Sequence, residues 1–146
     1  MKEKIINFDM DGTLANFYGV EGWLEFLINE NTTPYEKAQP LYNTIELSAL
    51  LNELQKAGYE INIISWGAKN STEKFLKATK KAKIAWLEKY FNVKFDNVFV
   101  VPYGTPKDTI KKGILFDDDN RVRTAYNGIA FKPEYITMIL YKLLFE

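Results

Sequence analysis

The stretch Ile5-Ile6-Asn7-Phe8-Asp9-Met10-Asp11-Gly12-Thr13-Leu14 decides how this chain folds. Residues 5 to 8 are apolar or tolerate an extended backbone, and they stop abruptly at charge and a turn former, which predicts a short buried strand. Two carboxylates, Asp9 and Asp11, leave its carboxyl end one residue apart and run into Gly12. In open α/β sheets that edge is where ligands bind. An extended backbone aims residues i and i+2 the same way, and a glycine turn lets the second swing past the first, so both acids can face one reacting group. An Asp and a Gly after a strand also make an ordinary turn. The remaining chain has to separate the two readings.

Outward from this stretch, strand and helix patterns alternate. Trp23, Phe26, Leu27 and Glu30 mark a short amphipathic helix, followed by a polar segment around 31–34 and an aromatic-bearing stretch to Tyr42. Thr44 is expected to cap a helix with Leu47, Leu50, Leu51 and Leu54 on one face and a stop at Gly58. Tyr59 to Ser65 predicts a second strand that also ends at a polar residue and a glycine turn, Ser65-Trp66-Gly67. Asn70, with Glu73 three residues on, resembles a capping box opening a long helix with Phe75, Thr79, Ala82, Trp86 and Tyr90 on its inner face. The lysines between them read as its solvated side.

Asn97 to Val101 predicts a third strand cut off by Pro102, and Ile114 to Phe116 a fourth, followed at once by Asp117-Asp118-Asp119. Gly128 to Phe131 predicts a fifth, and Pro133 opens a last helix with Ile136, Ile139, Leu140, Leu143 and Leu144 apolar. This alternation implies right-handed crossovers and a mostly parallel sheet between helices, a three-layer α/β/α Rossmann-like fold. No repeat or linker-like stretch divides the chain, so residues 1–146 are expected to form a single domain.

The 47% hydrophobic content suffices for a full core. Lysine plus arginine balances aspartate plus glutamate at 19 each, so no global field draws nucleic acid or membrane, and no clear nucleic-acid binding is expected. The absence of both cysteine and histidine removes thiolate nucleophiles, Ser-His-Asp catalysis and imidazole zinc sites together. What remains is carboxylate, lysine and a hard cation. Met1-Lys-Glu-Lys runs straight into the first strand, and no apolar stretch approaches the roughly 20 residues a membrane helix needs. The reading is a soluble, cytoplasmic protein without a membrane partner.

The carboxyl ends of parallel strands share one edge, and each strand reaching it here deposits a polar group. The first brings Asp9 and Asp11, the second Ser65, the fourth Asp117 and Asp118, and Lys107 lies between the third and fourth. These are parts for phosphoryl transfer, because a carboxylate approaches a multiply charged phosphoryl group only when cations neutralise the encounter. Mg²⁺ is the expected cofactor, since it takes oxygen ligands from one or two carboxylates plus phosphate and waters.

With these four segments in order, Asp9-Met-Asp-Gly-Thr, Ser65 after an apolar strand, Lys107, and an acidic pair after Ile114-Leu-Phe, the chain resembles the haloacid dehalogenase-like hydrolases. The resemblance spans most of the chain and implies a phosphatase or phosphomutase. It implies Asp9 as the nucleophile that forms an aspartyl-phosphate and Asp11 as general acid and base. Ser65, the turn residues Trp66 and Gly67, and Lys107 would meet the substrate phosphate. Mg²⁺ would sit on the Asp9 side chain, the Asp11 backbone carbonyl and an acid of the last motif. For that acid Asp118 is favoured over Asp117, which would instead brace Lys107 or a metal-bound water. Asp119 is expected to open the next helix, where an acid suits the dipole. Lys111 and Lys112 compete with Lys107 but lie very near the fourth strand.

Phe8-Asp-Met-Asp-Gly-Thr-Leu-Ala-Asn-Phe and the segment from Lys107 through Ile114-Leu-Phe-Asp-Asp-Asp-Asn-Arg-Val-Arg are similar to the 5′(3′)-deoxyribonucleotidases. This implies a small phosphorylated substrate, nucleoside monophosphates among the candidates, with other small phosphomonoesters or phosphorylated ends as the alternative. The family's larger cap has little room before the second strand, so any cap is small, about 17–42. Phe17, Tyr18, Trp23 and Trp66 are candidates for stacking on a base, although core packing competes for each. Among other classes, a receiver domain would carry its acidic pair first, and a P-loop kinase would need a Gly-x-x-x-x-Gly-Lys-Ser/Thr loop that is missing. A non-catalytic phospholigand-binding or protein-binding domain with a relic site completes the alternatives. The oligomeric state is not encoded in these patterns.

Overall fold

In the computed structural model, residues 3–146 are described; Met1 and Lys2, the start of the Met-Lys-Glu-Lys segment, lie outside the described residues. Strands β1 (Ile5–Phe8), β2 (Glu60–Trp66), β3 (Asn97–Val101), β4 (Ile114–Phe116) and β5 (Ala130–Phe131) form one sheet in the order β3-β2-β1-β4-β5. Every pairing is parallel, so the sheet is wholly rather than mostly parallel. The helices are α1 (Trp23–Ile28), α2 (Thr33–Lys37), α3 (Thr44–Lys56), α4 (Glu73–Tyr90), α5 (Asn120–Ala125) and α6 (Ile136–Phe145). The result is a three-layer, Rossmann-like α/β/α fold.

The alternation of side chains along β1 and β2 sorts the two faces. Ile6, Phe8, Ile61 and Ile63 point to one side and pack with Leu47, Leu51 and Leu54 of α3, Trp86 and Leu87 of α4, and Ile136 and Leu140 of α6. On the other face Leu115 packs with Val122 and Tyr126 around α5. That second face also carries a polar seam. Asn7, Asn62 and Asn97 stand side by side in register across β1, β2 and β3. Asn97 Nδ2 donates to Asn62 Oδ1, Asn62 Nδ2 to Asn7 Oδ1, both at 2.9 Å, and Asn7 Nδ2 to the Lys112 carbonyl at 2.8 Å. The seam therefore pins the β3–β4 connection across the sheet.

From β1 the chain steps through β2 to β3 on one side, then returns over residues 102–113 to β4 on the other. The direction reverses between β1 and β4, which opens a crevice beyond their carboxyl ends. Gly113 makes the return possible: its φ is +98°, and a Cβ there would run into the Ile5 carbonyl. Residues 17–42, where a small cap is expected, hold a 3-10 turn at Phe17–Gly19 and helices α1 and α2. Phe17 and Tyr35 of this segment pack on Phe75 of α4, with Trp23, Leu27 and Ala82 around them.

Two helix starts differ from expectation. Asn43 rather than Thr44 caps α3, accepting from the backbone N–H groups of Ile45 and Glu46. Thr72 rather than Asn70 caps α4, accepting from Phe75 N–H, while Asn70 takes a left-handed conformation at φ +60°. The Glu30 carboxylate accepts from both the backbone N–H and hydroxyl of Thr72, which ties the 17–42 segment to the first turn of α4. β5 holds two residues, Ala130–Phe131, rather than the four expected from Gly128 to Phe131. Among the described residues no helix is long and apolar enough to cross a membrane.

Replacing Asn62 by Leu fills similar volume but leaves the Asn7 carbonyl and Asn97 amide unpaired in the interior. The expected cost is about 2 kcal/mol. It is read as a lower denaturant midpoint with an unchanged m-value; an unchanged midpoint would show that the seam contributes nothing to stability.

Candidate active site

β1 delivers Asp9 to the crevice, and the backbone fixes it there: Asp9 N–H donates to the Phe116 carbonyl of β4 at 2.9 Å. The next residues coil tightly, with the N–H groups of Thr13, Leu14 and Ala15 converging on the Met10 carbonyl. Gly12 sits inside this coil at φ +81°, and a Cβ there would collide with the Asp118 carboxylate and press on Tyr18. Glycine is therefore required by the approach of a second acidic loop as much as by the turn.

Lys107 is buried, and its Nζ donates to Asp9 Oδ1 at 2.9 Å and to Asp117 Oδ2 at 2.6 Å. Its competitors for this place are settled by geometry. Lys111 pairs with Glu60 at 3.0 Å, and Lys112 is exposed. The other Asp117 oxygen accepts the Asp119 N–H, and the Asp119 side chain caps α5 by accepting the Arg121 N–H, as its place in the sequence leads one to expect. Thr13, which the sequence reading passed over, donates to Asp9 Oδ2 at 3.0 Å and accepts from Asp118 N–H at 3.1 Å. It joins the first acidic loop to the last.

Asp9, Asp117 and Asp118 each offer a carboxylate oxygen within 4.8 Å of the others. This is an all-oxygen donor set of the kind a hard divalent cation takes. Charge points the same way. Asp9, Asp11, Asp117 and Asp118 bring four formal negative charges against two from Lys83 and Lys107, so a divalent cation would neutralise the set.

Lys83 is the main correction to the expectation that the α4 lysines face solvent. It has no exposed surface, and its Nζ donates to Asp11 Oδ2 at 3.0 Å, Ser65 Oγ at 2.5 Å and the Trp66 carbonyl at 3.1 Å. The Tyr35 ring covers it, 4.8 Å from ring centre to Nζ. The signal was present: Lys83 lies four residues after Thr79 and three before Trp86, within the helical stripe that faces inward. An apolar stripe with one lysine in it marks a buried cation wherever a partner waits on the sheet.

Ser65, nearly fully buried, reaches the same edge on β2. The backbone beyond it is less available. Gly67 N–H donates to the Val101 carbonyl at 2.7 Å, and the Trp66 indole N–H donates to the Thr105 carbonyl at 2.7 Å. Of the turn expected at a phosphate, the Ser65 hydroxyl alone keeps a proton without a protein acceptor among the described residues.

The two leading acids are driven apart. Burial pushes the Asp9 carboxyl up, but Lys107 and the hydrogen bonds it receives outweigh that and hold it below the usual carboxylate range. Burial also acts on Asp11, where Lys83 offsets it only in part and the Asp9 charge adds to it, so Asp11 lies above its usual range. Burial and the Asp9 charge raise Asp117 to about 6. Partial desolvation and the contact with Asp9 raise Asp118 to about 8.

Above these groups opens a cleft of about 440 Å³. Its lining includes Tyr18 packed edge-on against Trp23, Leu24 and Ile28 of α1, Trp66 packed on Tyr103, and Arg121. Of the stacking candidates, Phe17 is buried against Tyr35, with ring centres 5.0 Å apart, and belongs to the core. Tyr18 is half exposed, and Tyr103, which the sequence reading did not single out, is 45% exposed and packs on Trp66. The chain matches no family model and no curated protein. Its fold and site define it as a parallel α/β protein with a lysine-braced acidic cleft at the topological switch point.

The raised acids make the metal-free protein pH-sensitive. Unfolded carboxyls ionise near 3.8, so between about pH 4 and pH 8 the unfolded chain releases protons that folded Asp117 and Asp118 keep, and stability falls as pH rises. In chelator, the melting temperature is expected to drop from about pH 5 to pH 8, and added Mg²⁺ to raise it more at pH 8, where its ligands are ionised. An equal Mg²⁺ shift at both pH values would argue against these acids as ligands.

Proposed function

We propose that this protein is a Mg²⁺-dependent phosphomonoester hydrolase of the haloacid dehalogenase-like type, working through an aspartyl-phosphate on Asp9. The carrying observation is the divergence of neighbouring acids: Asp9 is gripped by Lys107 and Thr13 and held ionised, while Asp11 is pushed toward its protonated form. Paired carboxylates with opposed shifts mark nucleophile and acid.

An Asp9 oxygen attacks phosphorus and the bond to the leaving oxygen breaks. Asp11 gives that oxygen its proton. Asp11 then takes a proton from water, the water oxygen attacks phosphorus, and the Asp9–phosphorus bond breaks to release inorganic phosphate and the free carboxylate. Proton transfer of this kind is worth roughly 10² to 10⁴ in rate. Lys107 neutralises Asp9 as the anionic ester approaches, and the Ser65 hydroxyl donates to a phosphoryl oxygen. Asp9 and Asp118, with Asp117 behind, would hold Mg²⁺, which supplies charge neutralisation for the phosphoryl oxygens.

For the substrate we infer a small ester with an aromatic or heterocyclic group, nucleoside monophosphates foremost. The cleft supports this: its size suits a nucleotide, and Tyr18, Trp23, Trp66 and Tyr103 offer ring faces and edges around it. We place the enzyme in the cytoplasm, which the lack of cysteine suits.

Asp9→Asn is expected to abolish Mg²⁺-dependent hydrolysis of 4-nitrophenyl phosphate, by at least about 10³-fold, with an unchanged circular dichroism spectrum. Retained turnover would remove Asp9 as nucleophile, whereas a wild type without turnover would leave the reading of a binding domain with a relic site. A panel of nucleoside monophosphates, sugar phosphates and 5′- or 3′-phosphorylated oligonucleotides tests the substrate class; equal kcat/KM across it would remove the preference for nucleotides.

A further inference from the structure

We propose that Lys83 is a positioning residue for Asp11, fixing where the site's proton carrier stands. The inference rests on the phosphatase reading and adds a residue to it. An ammonium has three donors, and all three of Lys83 are spent, on Asp11 Oδ2, Ser65 Oγ and the Trp66 carbonyl. Two of these acceptors lie on the end of β2 and hold Nζ in place; the third is the acid. Asp9 has both oxygens held, by Lys107 and Thr13, whereas among the described residues the Asp11 carboxylate has one side-chain partner, on Oδ2. That partner is Lys83.

Burial makes the restraint rigid. Lys83 has no exposed surface, its stem runs through the inner face of α4, and the Tyr35 ring of α2 closes over Nζ. A lysine on the surface would lose such a hold to its own rotamer freedom. Here the Asp11 carboxylate is tied to a long helix and to the central sheet, on the side away from Lys107, whose Nζ spans Asp9 and Asp117 instead. The site thus uses one buried lysine for the attacking acid and a second for the proton-carrying acid.

The test compares 4-nitrophenyl phosphate, whose phenolate leaves without a proton, with benzyl phosphate, whose alkoxide needs one. Lys83→Met is expected to lower kcat/KM, which reports the step in which the leaving group departs, by about 10²-fold on benzyl phosphate and by about tenfold or less on 4-nitrophenyl phosphate. In an Asp11→Asn background, adding Lys83→Met should change turnover of 4-nitrophenyl phosphate by less than about twofold, because the group it acts through is gone. Should Lys83→Met fail to fold, Lys83→Gln, which keeps a donor toward Asp11, carries the same comparison and should lose less. Equal kcat/KM losses on the two esters would overturn the role of Lys83 alone. A wild type that hydrolyses neither ester would overturn the phosphatase reading, and this role with it.

Discussion

Buried charge compensation is the constraint on which this molecule depends. Four carboxylates meet at one edge of the sheet, and at an effective dielectric near 20 two like charges 4 Å apart repel by about 4 kcal/mol. Such a cluster persists only with cations inside it. Lys107 stands between Asp9 and Asp117, and Lys83 stands against Asp11. Each lysine would be costly to bury alone, and each acid costly to ionise alone; together they hold the loops that carry them.

The topology explains why these groups can meet. Asp9 follows β1 and Asp117 follows β4, adjacent parallel strands at which the chain reverses its direction across the sheet. Lys107 comes from the return connection over the same edge, and Lys83 from the helix joining β2 to β3. Right-handed crossovers put α3 and α4 on one face, so Lys83 approaches Ser65 from the side toward which Ser65 points. The 17–42 segment is bound into this arrangement twice, through Tyr35 over Lys83 and through Glu30 on the first turn of α4. The 17–42 segment, α4 and the acidic cleft are therefore joined by direct contacts.

Much of this was legible in the chain. The strands β1, β3 and β4 fall where apolar runs end at Asp9, Pro102 and Asp117, because a buried parallel strand is a local pattern with sharp limits. Helix starts were less legible. Asn43 and Thr44, or Asn70 and Thr72, are all competent caps, and the choice fell to contacts from elsewhere, such as Glu30 reaching Thr72. Trp66 and Gly67 read as phosphate-facing turn residues, yet the Gly67 N–H is committed to Val101 on β3, a pairing no local pattern announces.

The sequence by itself determined the succession of the five strands with α1, α3, α4, α5 and α6, though not α2, the apolar faces of α3 and α6, and the set of acids and serine placed at strand ends, because these follow from residue periodicity and from the single edge that parallel strands share. Only the tertiary structure decided that a second lysine belongs to the site. Lys107 was set apart from Lys111 and Lys112 by its distance from the fourth strand, and the structure shows what lies within reach of each ammonium group. Lys83 looks like one more lysine of a charged helix until the sheet places Asp11 and Ser65 beneath it. A long charged side chain is exposed or buried according to whether a partner awaits it across the fold, and that is a property of space rather than of sequence spacing.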